Sequence, residues 1–428
     1  MPQLLFDESV GIRGDELERL VAPLPVEEFV RHVLGRKPLH IRGARDKFSG
    51  FFDEDGFWAA LGRIPQPKAI RVVFPRPVEN DAILRAFISA DQARMMFRAS
   101  GYLFVDPLST AVPKLASFAA AIKAQLAYPG DVHFVGFLSA DGRGPPQHFD
   151  DVTTITMQLR GAKTWRYSTR PSVPWPRGAA FIFNDGLHYV RKNDPLPEEP
   201  WEKIDPLTED DFAEVTLEEG DLFTIPAGHF HQCRTGGSSF SLALSFEPLS
   251  MIDVAAAALR RRLRSDPAWR SVPPFRGPGD PALDRYLRDM SSALMDQLAA
   301  MRERPDELMA AWAASVADVH GGDASISPDP GPEPVGPDDM LARPALLPVV
   351  TVPWRDGAGG AGLLVQPGPR EVKIEGVAAP LVREALARAS FRAGDAREWS
   401  GVRGVLTWPR VAAELGRLLQ ARALERRP

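Results

Sequence analysis

Between Val132 and Phe246 the chain breaks into short stretches of β-forming residues, each stopped by a turn, and few folds accept that spacing. His133–Leu138 and Thr153–Leu159 read as strands. Arg160-Gly161-Ala162-Lys163 makes a tight turn, and Thr164–Tyr167 returns as the next strand. Val215–Leu217, Asp221–Ile225 and Phe240–Phe246 complete a run of short strands at barrel-like spacing. Residues 171–213 interrupt it with Pro, Asp, Glu and Trp and no clear periodicity, so they read as a functional loop or an insertion over the barrel mouth.

The flanks follow other rules. Pro25 and two acids open a helix running toward Leu34, where the first turn favours them. Lys37–Gly43 is a proline-started extended piece with a glycine stop, and Ile70–Phe74 a strand. Helices are predicted from Ser89 to Ser100 and from Ser117 to Tyr128. Beyond residue 251 the apolar spacing turns helical, at Val254–Arg264, Leu283–Met301 and Asp306–Val319. Gly321–Asp339 is rich in Gly, Pro, Asp and Ser and reads as a linker. The remainder predicts strands at Leu347–Val352, Gly362–Gln366 and Val372–Ile374, then helices over Pro380–Ala393 and Trp408–Leu424.

Composition narrows the function classes. At 428 residues, two or three domains are expected. A net charge of -5 gives no general pull toward nucleic acid, and the basic tail Arg417–Arg427 reads as a solvated helix face. No apolar run reaches 18 residues, so no membrane partner is expected. The start lacks a basic region followed by an apolar one, which predicts a cytoplasmic protein. Cys233 is the single cysteine, so a metal here must be held mainly by His and carboxylate.

Those residue types occur in a telling pattern. Side chains at i and i+2 share one face of a strand, so His148 and Asp150 can bind one metal while Asp151 points away. About eighty residues later, Pro226-Ala227-Gly228-His229-Phe230-His231 offers two more histidines at the same spacing. Spacing alone leaves both open as the third ligand. Two histidines and one carboxylate form a facial triad that leaves half the coordination sphere of Fe(II) open for O2 and a cosubstrate.

The segments HFD, QLRGAKTW and GDLFTIPAGHFH resemble the JmjC/cupin-type oxygenases that use Fe(II) and 2-oxoglutarate, most closely the ribosomal oxygenases. Lys37–Gly43 and Ser241–Pro248 are similar to further segments of that family. The resemblance implies an α+β fold, a double-stranded β-helix (cupin/JmjC jelly roll) followed by helical and winged-helix-like parts. Residues 1–250 would be the catalytic domain, 251–320 a helical homodimerisation region, 321–340 a linker and 341–428 the winged-helix-like domain. It further implies His231, five positions after Pro226, as the third metal ligand beside His148 and Asp150, with His229 a pocket residue. Lys163, fifteen after His148, would anchor 2-oxoglutarate, and Thr154, six after it, would add a polar contact. The implied reaction is hydroxylation of an Arg or His side chain in a protein or peptide, with ribosomal proteins as one target class. An N-methyl demethylase using the same site, and a non-catalytic cupin-like binding or scaffold protein, are the alternatives. Residues 184–213 are longer and more acidic than the family pattern. If Asp185, Asp194, Glu198, Glu199 and Glu202 gather at the mouth, they favour a basic target. Asn184, Asp185 and His188 are candidates for lining a substrate groove.

Overall fold

Strand alternation sorts this chain into one face for a helical cover and one for a cavity. The structure, a computed structural model, describes residues 15–64, 69–73, 85–183, 186–190, 203–272, 280–318, 334–344, 349–355, 360–367 and 370–427. They form two units, Met1–Pro248 and Leu249–Pro428.

The first unit holds fourteen described strands: β1 (Leu39–Ile41), β2 (Ile70–Val73), β3 (Arg85–Phe87), β4 (Tyr102–Val105), β5 (Val132–Ser139), β6 (His148–Phe149) and β7 (Thr153–Arg160), then β8 (Lys163–Ser168), β9 (Ala179–Phe183), β10 (Gly186–Val190), β11 (Phe212–Leu217), β12 (Leu222–Ile225), β13 (His231–Thr235) and β14 (Ser239–Phe246). They build an eight-stranded sheet in the order β1-β12-β7-β14-β5-β4-β2-β3 and a six-stranded sheet in the order β10-β9-β6-β13-β8-β11. Every pairing is antiparallel, and the two sheets form a jelly roll.

On β7, Ile155 and Met157 face outward, and on β14 Phe240, Leu242, Leu244 and Phe246 do the same. They meet the helix Pro113–Leu126 through Leu115, Phe118 and Ile122, with Phe51 edge-on to Phe118 at 5.0 Å. Each such side chain buried contributes about 1.5–3 kcal/mol. The alternate positions, Thr154 and Thr156 on β7 and Ala243 and Ser245 on β14, are small and line a cavity. Bulky residues outward and small ones inward leave room inside the roll.

The stretch 171–213, expected to be aperiodic, contains β9 and β10, and β11 begins at Phe212. Its alternation is too short to stand out among prolines, and the pairing partners that define it lie elsewhere in the chain. Asn184, Asp185, Asp194, Glu198, Glu199 and Glu202 fall outside the described residues. His188 is placed on β10 opposite Phe181, with only its backbone described.

The second unit begins with the helices Met251–Leu263, Pro281–Arg302 and Pro305–Ala317. Two three-stranded antiparallel sheets follow, with a core that includes Leu381, Phe391, Leu415 and Leu418. The helix expected over Pro380–Ala393 stops at Ala387, because Ser390–Arg392 pairs instead with Met340–Ala342. The final helix ends at Gln420, and Glu425–Arg427 pairs on the other side of that same strand. Tertiary pairing overrides helix propensity at both ends.

Candidate metal centre and cavity

The two histidine motifs meet by strand register. In the antiparallel pairing of β6 with β13, His148 stands directly opposite His231. The loops behind them are tied by the Gly228 N–H, which donates to the Asp150 carbonyl at 2.9 Å. Gly228 has φ +78°, and an added Cβ would lie 1.9 Å from the Val173 carbonyl oxygen, so only glycine fits this bend.

Ligand atoms of His148, Asp150 and His231 all lie within 4.8 Å of one another. The Asp150 Oδ2 is 3.7 Å from His148 Nε2 and 3.6 Å from His231 Nε2. A cation about 2 Å from each donor fits such separations. Tautomers support the same reading. His148 Nδ1 lies 2.7 Å from the Pro146 carbonyl oxygen, and His231 Nδ1 lies 2.9 Å from that of His229. A carbonyl only accepts, so each Nδ1 donates, and each Nε2 in the neutral ring keeps its lone pair for a metal. The donor set suits a first-row divalent ion.

His229 is not part of this cluster. It is buried, with Nδ1 3.4 Å from the Ala227 carbonyl oxygen. Burial is the main reason its pKa falls to about 4, so its imidazole stays neutral.

Phe181 of β9 stacks on the His148 ring at 4.9 Å with a 4° interplanar angle. Trp165 of β8 lies 5.7 Å from the His231 ring. Sequence reasoning missed Phe181 because its strand was hidden in the 171–213 stretch.

The cluster opens into a cavity of about 150 Å³, whose lining includes Thr154 and Lys163. Lys163 is only 2% exposed and donates from Nζ to Ser241 Oγ at 2.9 Å. Its ammonium also faces the rings of Phe137 and Trp165, at 5.6 and 5.9 Å. No carboxylate pairs with it among the described residues, and burial lowers its pKa. A buried lysine with no carboxylate partner among the described residues is the fit expected for an anionic ligand. Another wall is aromatic, with Phe104 stacked on Phe137 at 5.9 Å and 16°, and Tyr102 beside them. Next to it, Asp106 takes Arg71 at 3.5 Å and His133 at 3.1 Å. Arg71 and Asp106 also line the cavity and carried no motif that a sequence search would notice.

Residues 118–254, which include the cluster and Lys163, match the JmjC domain family. Over 274 residues the chain is 24% identical to the uncharacterized protein YxbC of Bacillus subtilis (strain 168), covering 60% of this chain and 78% of that protein. In structure it is similar to Escherichia coli ycfD, with a TM-score of 0.54 and 15% identity over 94% of this chain and 98% of that one. The structure of YcfD described as a ribosomal oxygenase in complex with cobalt and 2-oxoglutarate matches with a TM-score of 0.52 and 16% identity, over 95% and 99% of the two chains. At such identities the likeness concerns the fold.

Proposed function

We propose that this protein is an Fe(II)- and 2-oxoglutarate-dependent dioxygenase that hydroxylates an amino-acid side chain of a protein or peptide. The observation that carries the reading is one cavity whose lining includes both the three-donor cluster and the buried Lys163, which pairs with no carboxylate among the described residues. His148, Asp150 and His231 would hold the iron on one side and leave the other side open. Iron(II) with 2-oxoglutarate and O2 supplies, when bound, the oxidative decarboxylation that delivers one oxygen atom to a C–H bond. Lys163 holds the distal carboxylate of the cosubstrate by a charge-assisted hydrogen bond, and Thr154 offers its hydroxyl on the same wall. Phe181 and the Nδ1–carbonyl bonds keep both imidazoles oriented toward the cavity.

For the substrate, the aromatic wall of Tyr102, Phe104 and Phe137 suits a flat, delocalised side chain, which favours Arg or His. A ribosomal protein is the first target to test, since the similar E. coli protein is described as a ribosomal oxygenase. Residues 251–320 are assigned to homodimerisation. Exposed Leu287, Met295 and Leu298 on the helix Pro281–Arg302 support this. Residues 341–428 are assigned a winged-helix-like role, supported by the helices Ala379–Ala387 and Trp408–Gln420 with their short antiparallel strands.

Fe(II) and 2-oxoglutarate added without oxygen should produce a visible charge-transfer band in the native protein and none in His148→Ala. Absence of the band in the native protein, or its survival in the variant, refutes the assignment. Mass spectrometry of candidate ribosomal peptides then reads one added oxygen for hydroxylation, whereas a lost methyl with formaldehyde would make the enzyme a demethylase.

A further inference from the structure

Ser241 is buried on β14, between Leu242 and Phe240, whose side chains face the helical cover. Alternation turns Ser241 the other way, and its Oγ accepts the one protein hydrogen bond that Lys163 Nζ makes among the described residues. The rings of Phe137 and Trp165 and the buried Cys233 also lie near the ammonium. An ammonium in such a place is costly, so an oxygen that accepts from it favours both its position and its charged form. Ser241 itself is absent from the cavity lining, whereas Lys163 is part of it. The hydroxyl therefore stands behind the lysine and not beside the ligand.

We propose that Ser241 is a positioning residue for cosubstrate binding: its hydroxyl holds the Lys163 ammonium, charged and aimed, where it meets the distal carboxylate of 2-oxoglutarate. This rests on the dioxygenase reading and deepens it. Ser241 makes no contact with the ligand. It acts through Lys163. The pair is made across sheets, since Ser241 lies on the eight-stranded sheet and Lys163 on the six-stranded one. The hydrogen bond also ties the two sheets together at the level of the cavity. Among the described residues no charged group offers the lysine an alternative; Gln158, opposite Ser241 on β7, donates from Nε2 to the Arg160 and Gly161 carbonyls and to Ser239, while its Oε1 makes no hydrogen bond to Lys163.

The test uses the full-length protein loaded with Mn(II), which does not turn over, and titrates 2-oxoglutarate by calorimetry across a pH series. Ser241→Ala should weaken 2-oxoglutarate binding about tenfold or more, as expected for losing a hydrogen bond to a charged group. Mn(II) affinity, read by electron paramagnetic resonance, should stay at the native value. The high-pH fall in 2-oxoglutarate affinity should also begin at lower pH in Ser241→Ala, because the lysine loses the oxygen that favours its charged form. Ser241→Thr, which keeps the hydroxyl, should restore both the affinity and the pH profile. Native-like 2-oxoglutarate binding by Ser241→Ala, an unmoved pH profile, or failure of Ser241→Thr to restore binding each overturns the proposal. If the native Mn(II) protein does not bind 2-oxoglutarate at all, the dioxygenase reading itself falls, which is a distinct outcome.

Discussion

His133 gives the first unit a pH dependence that can be worked from its neighbours. Its ring is 8% exposed, with Nε2 3.1 Å from Asp106 Oδ1 and Nδ1 3.0 Å from Asp131 Oδ2. Burial alone lowers the pKa, but hydrogen bonds and negative charge from the two aspartates outweigh it and raise it to about 9. The Arg71 guanidinium, on β2, also pairs with Asp106, at 3.5 Å. In the unfolded chain the imidazole returns to about 6.5. A proton bound more tightly in the folded state stabilises it fully below pH 6.5, and that contribution is lost as pH rises through about 9. The difference corresponds to about 3 kcal/mol. Urea unfolding of the native chain and His133→Gln, compared at matched pH, reads it directly. At pH 6 the native chain should lead by up to about 3 kcal/mol, or roughly 1 M in midpoint for a slope near 3 kcal/mol/M. By pH 9.5 most of that lead should be gone. A lead that stays constant from pH 6 to pH 9.5 would refute the argument, since contributions shared by both proteins cancel in the comparison.

Three further outcomes follow from the site. His148→Ala and His231→Ala should each lose Mn(II) binding in an equilibrium dialysis, while His229→Ala retains it, because only the first two belong to the ligand cluster. Phe181→Ala removes the ring stacked on His148 and should destabilise the unit by about 3 kcal/mol in thermal or urea unfolding. With that ring gone, metal affinity should also fall by about tenfold. Gly228→Ala should be far more damaging than Gly142→Ala. Both have positive φ, but the first meets a carbonyl oxygen at 1.9 Å and the second meets nothing within 4 Å. Gly142→Ala should cost about 1 kcal/mol in unfolding experiments, and equal losses would contradict the steric account.

The strands and their faces were legible because a period of two needs no partner to be seen. Thr153–Leu159 and Phe240–Phe246 alternate large with small or polar residues, and the large ones do face the helical cover. His148 and Asp150 share a face for the same local reason. The hidden elements were those whose identity depends on a distant neighbour. β9 and β10 form a hairpin in a proline-rich stretch, and β13 follows a bend that propensity alone does not extend. Ser241 was read only as part of a closing strand, because nothing local says that its hydroxyl meets a lysine 78 residues away.

By itself, then, the sequence determined the local geometry: which stretches extend, which side chains share a face, and that two histidine motifs lie on strands able to present them. Between His229 and His231 its spacing was silent. Tertiary structure groups His231, and not His229, with His148 and Asp150, since the register of β13 against β6 sets His231 opposite His148. It also decided that Lys163 is buried beside a hydroxyl and two rings, with no acid paired to it among the described residues. Both are facts about pairs of distant residues. Register and burial arise only when sheets pack, and no local pattern along the chain encodes them.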